Sequence, residues 1–140
     1  MQVKFAQLAL CSSLLFSAAA FAGSDTDIVE APVYDQMPDR ISCVEAEELL
    51  RQKVRFYDCN TMEIWGEGFI PGSIFFNVEN WKELLPAKKD TPMVFYCVNE
   101  LCTSSETAAR EVMKLGYTQV YQMPQGIYGW KISGRKFERP

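Results

Sequence analysis

Histidine is the residue that this 140-residue chain lacks entirely. Its absence excludes Ser-His-Asp and Cys-His nucleophile pairs, histidine general bases and zinc sites that contain histidine. A zinc site built from cysteines alone is disfavoured as well, because no two of the five cysteines form a C-x₂-C pair. We therefore expect neither a metal ion nor a cofactor, and any chemistry must come from cysteine, tyrosine, charged side chains or backbone groups.

The chain is also poor in basic residues, with 14 Lys and Arg against 18 Asp and Glu and a formal net charge of −4. No cluster of basic residues stands out, so nucleic acid is not an expected partner, because phosphate binding needs clustered positive charge. An apolar fraction of 48% with 13% aromatic residues is enough for a folded core and argues against disorder. The length suits one domain better than two.

The first residues have the pattern of a secretory signal peptide. Lys4 supplies a positive charge, residues 5–16 form an apolar stretch, and residues 20–22 read Ala-Phe-Ala, an A-x-A cleavage signal. The stretch is too short to span a bilayer well, so we expect cleavage after Ala22 and no stable membrane insertion. The composition of the signal looks bacterial, which predicts a periplasmic location, an oxidising compartment in which thiols tend to pair. The expected segments are a signal peptide at 1–22, an acidic N-terminal arm at 23–40 and a domain at 41–140.

The rest of the chain alternates between helix and strand signals. Ser42 and Glu45 have the spacing of a capping box at the start of a helix, and Gly116 ends the most regular helix, at 103–115. The apolar run at 92–96 is typical of a central parallel strand. Further strands are predicted at 54–58, 73–77 and 118–123, and further helices at 61–65, 79–85 and 127–132. This alternation predicts a single α/β domain with a mostly parallel central sheet flanked by helices.

Cys97 is the candidate reactive residue. It ends the most apolar strand, and a helix begins near Thr103, so it lies where parallel sheets bind ligands, beyond the carboxyl ends of their strands. The N–H groups and the dipole of a helix N-terminus favour a thiolate and lower the pKa of a nearby thiol. Cys97 can therefore serve as a nucleophile without histidine; the alternative is a small core residue at a strand end.

The order and spacing of several short motifs resemble the rhodanese-like domain family over roughly residues 41–135. The matching segments are Ile41-Ser42 with Glu45-Ala46 and Leu49-Leu50, Phe56-Tyr57-Asp58, Glu63, Gly68-Phe69-Ile70-Pro71-Gly72-Ser73-Ile74, Asn77-Val78, Val94-Phe95-Tyr96-Cys97, Gly116-Tyr117, Val120-Tyr121, Gly126 and Trp130. The resemblance implies a single rhodanese-like domain and a persulfide mechanism, in which Cys97 attacks the outer sulfur of a donor and passes it to a thiol or cyanide. The implied partners are a sulfur donor and a thiol acceptor, with a periplasmic redox protein as a further candidate.

The resemblance also implies a binding loop. The six-residue loop 97–102 has the length usual for sulfurtransferases of the family, whereas the phosphatases of the family use one residue more. Backbone N–H groups of residues 98–103 would cradle the anionic sulfur. The implied substrate-binding residues are Val98, Asn99, Glu100, Leu101 and Thr103 in the loop, with Asp58 and Cys59 from the neighbouring strand end.

Three features depart from the family pattern. Glu100 stands where the loop often has Gly, Cys102 where it often has Arg, and Cys59-Asn60 where Val-Arg is common. These changes weaken the case for thiosulfate as the donor, because an inward-pointing Glu100 would repel a dianion; the alternative is that Glu100 lies on the surface. Cys102 suggests a resolving thiol that attacks the Cys97 persulfide or a mixed disulfide and leaves a Cys97–Cys102 disulfide. The alternative for Cys102 is a small buried residue in place of Arg.

Three functions remain open at this point. The first is a sulfurtransferase or persulfide carrier that acts through Cys97, and the second is a thiol–disulfide redox protein that uses the Cys97/Cys102 pair. The third is a catalytically degenerate rhodanese module that binds a partner. Sulfur uptake by Cys97 would indicate the first function, and a reversible internal disulfide would indicate the second. An unreactive Cys97 would favour the third. The pairing of the cysteines is open too, because the four that remain after cleavage allow three full pairings.

Overall fold

The computed structural model describes residues 36–140, in which a five-stranded sheet is flanked by four α-helices. The strands are β1 (Asp39–Arg40), β2 (Arg55–Asp58), β3 (Ile74–Phe75), β4 (Met93–Tyr96) and β5 (Val120–Met123). The helices are α1 (Cys43–Arg51), α2 (Met62–Glu67), α3 (Ser104–Lys114) and α4 (Gly126–Ile132), with a short 3₁₀ helix at Trp81–Leu84. Within the described residues, no helix is long and apolar enough to cross a membrane.

The sheet is parallel throughout, with the strand order β1-β5-β4-β2-β3. The apolar β4 lies in the middle, and all four of its residues are buried, because helices cover both faces of the sheet. Tyr96, the last residue of β4, pairs with Asp58 of β2 and with Met123 of β5. The carboxyl ends of these three strands therefore meet at one edge, and the predicted fold class is confirmed.

Two apolar layers sandwich the sheet. One layer packs α1 and α4 against the face that carries Val94 and Tyr96. The other layer packs α3 and the 3₁₀ helix against the opposite face, which carries Met93 and Phe95. Successive β4 side chains alternate between the layers, as a pleated strand requires.

Short sequence motifs mark where helices begin and end. Ser42 Oγ accepts a hydrogen bond from Glu45 N, and Glu45 Oε2 accepts one from Ser42 N at 2.8 Å, so the predicted capping box is present. Gly116 follows α3 with φ of 94°, the left-handed conformation that favours glycine at a helix end.

Some predicted bounds are wrong. The helix expected at 79–85 is only the 3₁₀ turn Trp81–Leu84, since Asn80 provides no side-chain cap and Pro86 prevents continuation. The strand expected at 73–77 shortens to Ile74–Phe75 at the sheet edge. At the opposite edge, Asp39–Arg40 pairs with β5, so the end of the predicted acidic arm forms a strand. The signal peptide and residues 23–35 lie outside the described residues and stay predictions.

Candidate functional site

A disulfide joins the two ends of the loop at the carboxyl edge of the sheet. Cys97 directly follows β4, Cys102 lies two residues before α3, and their sulfurs are bonded with the Cα atoms 6.3 Å apart. This separation is within the usual range for disulfides. The loop therefore brings together the two cysteines that the sequence singled out, while Cys43 and Cys59 are free thiols.

The base of the loop is fixed by the start of α4. Ile127 N donates to the carbonyl of Cys97 at 2.9 Å, and Tyr128 N donates to the carbonyl of Val98 at 3.0 Å. Gly126 has φ of 64°, and a Cβ atom built there would lie 2.5 Å from the Cys97 oxygen. Only glycine lets α4 approach the loop this closely, which gives the matched Gly126 a definite role.

Asn99 organises the interior of the loop. Its carbonyl accepts from Cys102 N at 3.1 Å, and its side-chain Oδ1 accepts from Leu101 N at 3.0 Å. Both N–H groups belong to the 98–103 stretch that was expected to cradle an anionic sulfur. In this disulfide form they are occupied by the loop itself, so the cradle has at least two fewer donors than the family resemblance implies.

The loop tip is exposed, whereas its base is buried. Cys97 is 4% exposed, while Leu101 is 90% exposed and Glu100 is exposed beside it. Cys102 is partly exposed and is thus the cysteine of the pair that an external thiol reaches more easily. Glu100 occupies the surface rather than the base of the loop near Cys97.

Cys59 lies alongside Cys97 at the next strand end. Its N–H donates to the Tyr96 carbonyl at 2.9 Å, which continues the parallel register one residue beyond β2 and β4. Burial raises the pKa of the Cys59 thiol well above its usual range, and the neighbouring Asp58 raises it further. Cys59 is therefore a protonated thiol at neutral pH and a poor nucleophile.

Asp58 is completely buried, and its Oδ1 accepts from Asn60 N at 2.8 Å. Burial raises the pKa of this carboxyl despite that hydrogen bond. Asp58 thus orders the turn after β2. The neighbouring Tyr96 hydroxyl accepts from Ile70 N at 3.1 Å and shares a 2.8 Å hydrogen bond with Ser73, so the strand end rests on a buried polar network.

A cavity of about 360 Å³ opens next to the loop. Thr103, which directly follows Cys102, and the thiol-bearing Cys59 line one part of it, and Phe76 and Trp81 contribute aromatic surface. The other predicted binding residues, namely Asp58 and positions 98–101, do not line it. Sequence reasoning missed the cavity, although residues 104, 107, 108 and 111 have the spacing of one helix face. No group of three or more acidic or cysteine side chains in residues 36–140 is placed to hold a metal ion.

Comparisons with known proteins agree with this architecture. The family model for the rhodanese-like domain matches residues 42–133, which include every strand from β2 to β5 and the whole Cys97–Cys102 loop. The match thus spans the greater part of the chain.

Solved structures share the fold at low sequence identity. A rhodanese-like domain from Anabaena sp. is 16% identical, with a TM-score of 0.62 over 74% of this chain and 81% of that chain. The polysulfide-sulfur transferase from Wolinella succinogenes is 16% identical, with a TM-score of 0.60 over 74% and 80%. The thiosulfate sulfurtransferase from Pseudomonas aeruginosa is 21% identical, with a TM-score of 0.61 over 73% of this chain but only 20% of that larger chain. The family model matches well over half of the chain, and the chain belongs to the rhodanese-like domain family.

Proposed function

We propose that this protein is a sulfurtransferase that carries sulfane sulfur as a persulfide on Cys97, with Cys102 as the resolving thiol. The observation that carries the proposal is the disulfide between these two cysteines at the carboxyl edge of the sheet, with the Cα atoms 6.3 Å apart. Family membership supports the persulfide step, and the bonded pair supports the resolving step.

Sulfur transfer through Cys97 needs no net oxidation. The Cys97 thiolate attacks the outer sulfur of a donor R–S–SH, the S–S bond of the donor breaks, and R–S⁻ leaves. Cys97 then bears the outer sulfur as Cys–S–SH. An acceptor thiolate attacks that outer sulfur, becomes a persulfide itself and restores the Cys97 thiolate.

Resolution by Cys102 is a two-electron reduction of the carried sulfur. The Cys102 thiolate attacks Sγ of Cys97, the bond to the outer sulfur breaks, and that sulfur leaves as hydrosulfide. The two protein thiols supply the electrons and become the disulfide. A further turnover then requires a dithiol reductant, the role expected of a periplasmic redox protein.

The start of α3 supplies the electrostatics for these steps. Thr103 precedes the helix and makes no side-chain capping hydrogen bond, so the first turn of α3 presents its N–H groups and positive dipole end beside Cys102. Such a setting stabilises a thiolate without histidine or metal, which suits a chain with no histidine.

The disulfide also favours a second candidate, a thiol–disulfide redox protein that cycles the Cys97–Cys102 pair without sulfane sulfur. Both candidates suit export of the chain through residues 1–22 into the periplasm, an oxidising compartment that preserves disulfides. They differ in whether Cys97 takes up a sulfur atom.

Intact-mass measurement on reduced protein separates the candidates. After incubation with a sulfane-sulfur donor, Cys102→Ser is expected to gain one sulfur atom, whereas wild type ends as the disulfide with release of sulfide. Cys97→Ser is the matched control and should gain nothing. Reversible disulfide formation in wild type, together with no sulfur uptake by Cys102→Ser, would favour the redox protein. An unreactive Cys97 in every form would favour a binding module.

A further inference from the structure

The cavity beside the loop is bounded by one face of α3. Ser104, Thr107, Ala108 and Glu111 follow the i, i+3, i+4, i+7 spacing and line it together. The helix therefore contributes hydroxyl and methyl groups near the disulfide end, and one carboxylate about two turns further along.

The opposite wall is aromatic. Phe76 and Trp81 line the cavity with ring centroids 5.4 Å apart, and the Asn77 side chain beside them donates to Asn60 O at 3.2 Å. Because Phe76 is 6% exposed and packed in the core, this wall is preformed. Aromatic and hydroxyl surfaces suit the carbon skeleton of a small organic molecule.

The lining of the cavity carries negative charge only. Among the described residues that line it, Glu111 is the only charged one, and no Lys or Arg takes part. Lys114 pairs with Glu111 at 2.8 Å without lining the cavity, and Lys82 lies 5.5 Å from the Trp81 ring centroid without lining it either. An anionic group bound in the cavity would meet the Glu111 carboxylate, whose paired cation, Lys114, lies outside the lining.

The loop next to the cavity also offers few hydrogen-bond donors to an anion. In the disulfide form, Asn99 occupies the N–H groups of Leu101 and Cys102, which an anionic donor would otherwise use. An inorganic dianion such as thiosulfate thus lacks both a cation and these two donors. A small organic persulfide has a carbon skeleton for the cavity and can do without both.

We propose that this cavity binds the organic part of the sulfur donor and selects persulfides whose organic group is neutral or cationic. Cys59 and Thr103 line the end of the cavity nearest the loop, and the outer sulfur of the donor would pass from there to Cys97, which does not itself line the cavity. This inference rests on the proposed persulfide chemistry of Cys97. The transfer step is unchanged: Cys97 takes the outer sulfur, and the organic group leaves as a thiolate.

The test compares two donors that differ in charge at one group, the persulfides of N-acetylcysteine and of its methyl ester, with thiosulfate as a third donor. Sulfur loading on Cys97 is followed by intact mass in reduced Cys102→Ser, which retains the sulfur. The neutral ester should load about tenfold faster than the carboxylate, the size of a partly screened like-charge contact. Equal rates, or faster loading by the carboxylate or by thiosulfate, would overturn the inference.

Three substitutions test the charge selectivity and the place of binding. Glu111→Lys should abolish or reverse the preference for the ester, whereas Lys114→Gln breaks the same ion pair without changing the lining and should preserve it. Thr107→Phe fills the cavity and should slow both organic persulfides about tenfold while the low rate of thiosulfate loading stays unchanged. A circular dichroism spectrum that matches the parent protein shows that the variant is folded. Organic loading unaffected by Thr107→Phe would refute binding in the cavity. If no donor loads sulfur onto Cys97 in the Cys102→Ser protein without further substitutions, the proposed sulfurtransferase function is refuted instead.

Discussion

Replacement of Gly126 by alanine tests whether the contact between α4 and the loop shapes the reactive site. The new Cβ would lie 2.5 Å from the Cys97 oxygen and 2.5 Å from the Val98 carbonyl carbon. Both are backbone atoms that cannot rotate away, so either the loop or the start of α4 must move. The hydrogen bonds from Ile127 N and Tyr128 N to this segment would then lengthen.

Gly134 provides a matched control for the backbone strain. Its φ of 79° is close to the 64° of Gly126, but no atom lies within 4 Å of a Cβ built there. Each alanine costs about 1 kcal/mol for left-handed backbone. Gly126→Ala should lose about 1–3 kcal/mol more through the clash with the loop. The difference between the two variants isolates the contact with the Cys97 loop.

Urea unfolding of the reduced proteins and sulfur loading of Cys97 are the two assays. Gly126→Ala should unfold at lower urea than Gly134→Ala and load sulfur about tenfold or more slowly, because displaced reacting atoms lose rate steeply. Gly134→Ala should load at the wild-type rate. Equal stability and equal loading rates in the two variants would refute the role given to Gly126.

Three further predictions concern residues around the site. Asn99→Ala should free the N–H of Leu101 for an anion and raise the rate of thiosulfate loading severalfold, measured by intact mass; a slower rate would contradict the arrangement of the loop. Cys59 should resist alkylation in the native protein, because its raised pKa keeps the thiol protonated, and rapid alkylation at neutral pH would contradict this. The raised pKa of Asp58 means that the folded state binds this proton more tightly than the unfolded state. Stability relative to Asp58→Asn should therefore fall as the pH rises above about 4 in urea titrations, and a pH-independent difference would contradict this.

The fold could be predicted because its main elements are specified locally. The apolar run of β4 indicates a strand buried on both faces, and the Ser42–Glu45 capping box and Gly116 mark helix ends within a few residues. The 3₁₀ turn was predicted as a helix because its composition favours helix, while the missing cap at Asn80 is visible only in the structure.

The candidate site could be predicted only in part. The sequence suggested a resolving role for Cys102 that would leave a Cys97–Cys102 disulfide, but it left the pairing of the four cysteines open; the structure contains that bond. The hydrogen bonds of Asn99 and the closeness of Gly126 to the loop depend on distances that no local pattern encodes. The cavity was missed for the same reason, since Phe76 and Glu111 meet only after the sheet and α3 pack together.

A single-turnover reaction with isotopically labelled sulfane sulfur directly tests whether Cys97 carries sulfur as a persulfide and Cys102 releases it. Reduced wild-type protein is mixed with a donor labelled in its outer sulfur, and both the released sulfide and the protein mass are followed over time. The persulfide mechanism predicts a transient labelled persulfide on Cys97, then one labelled sulfide per protein together with the Cys97–Cys102 disulfide. Disulfide formation with no label on Cys97 and no labelled sulfide would contradict it.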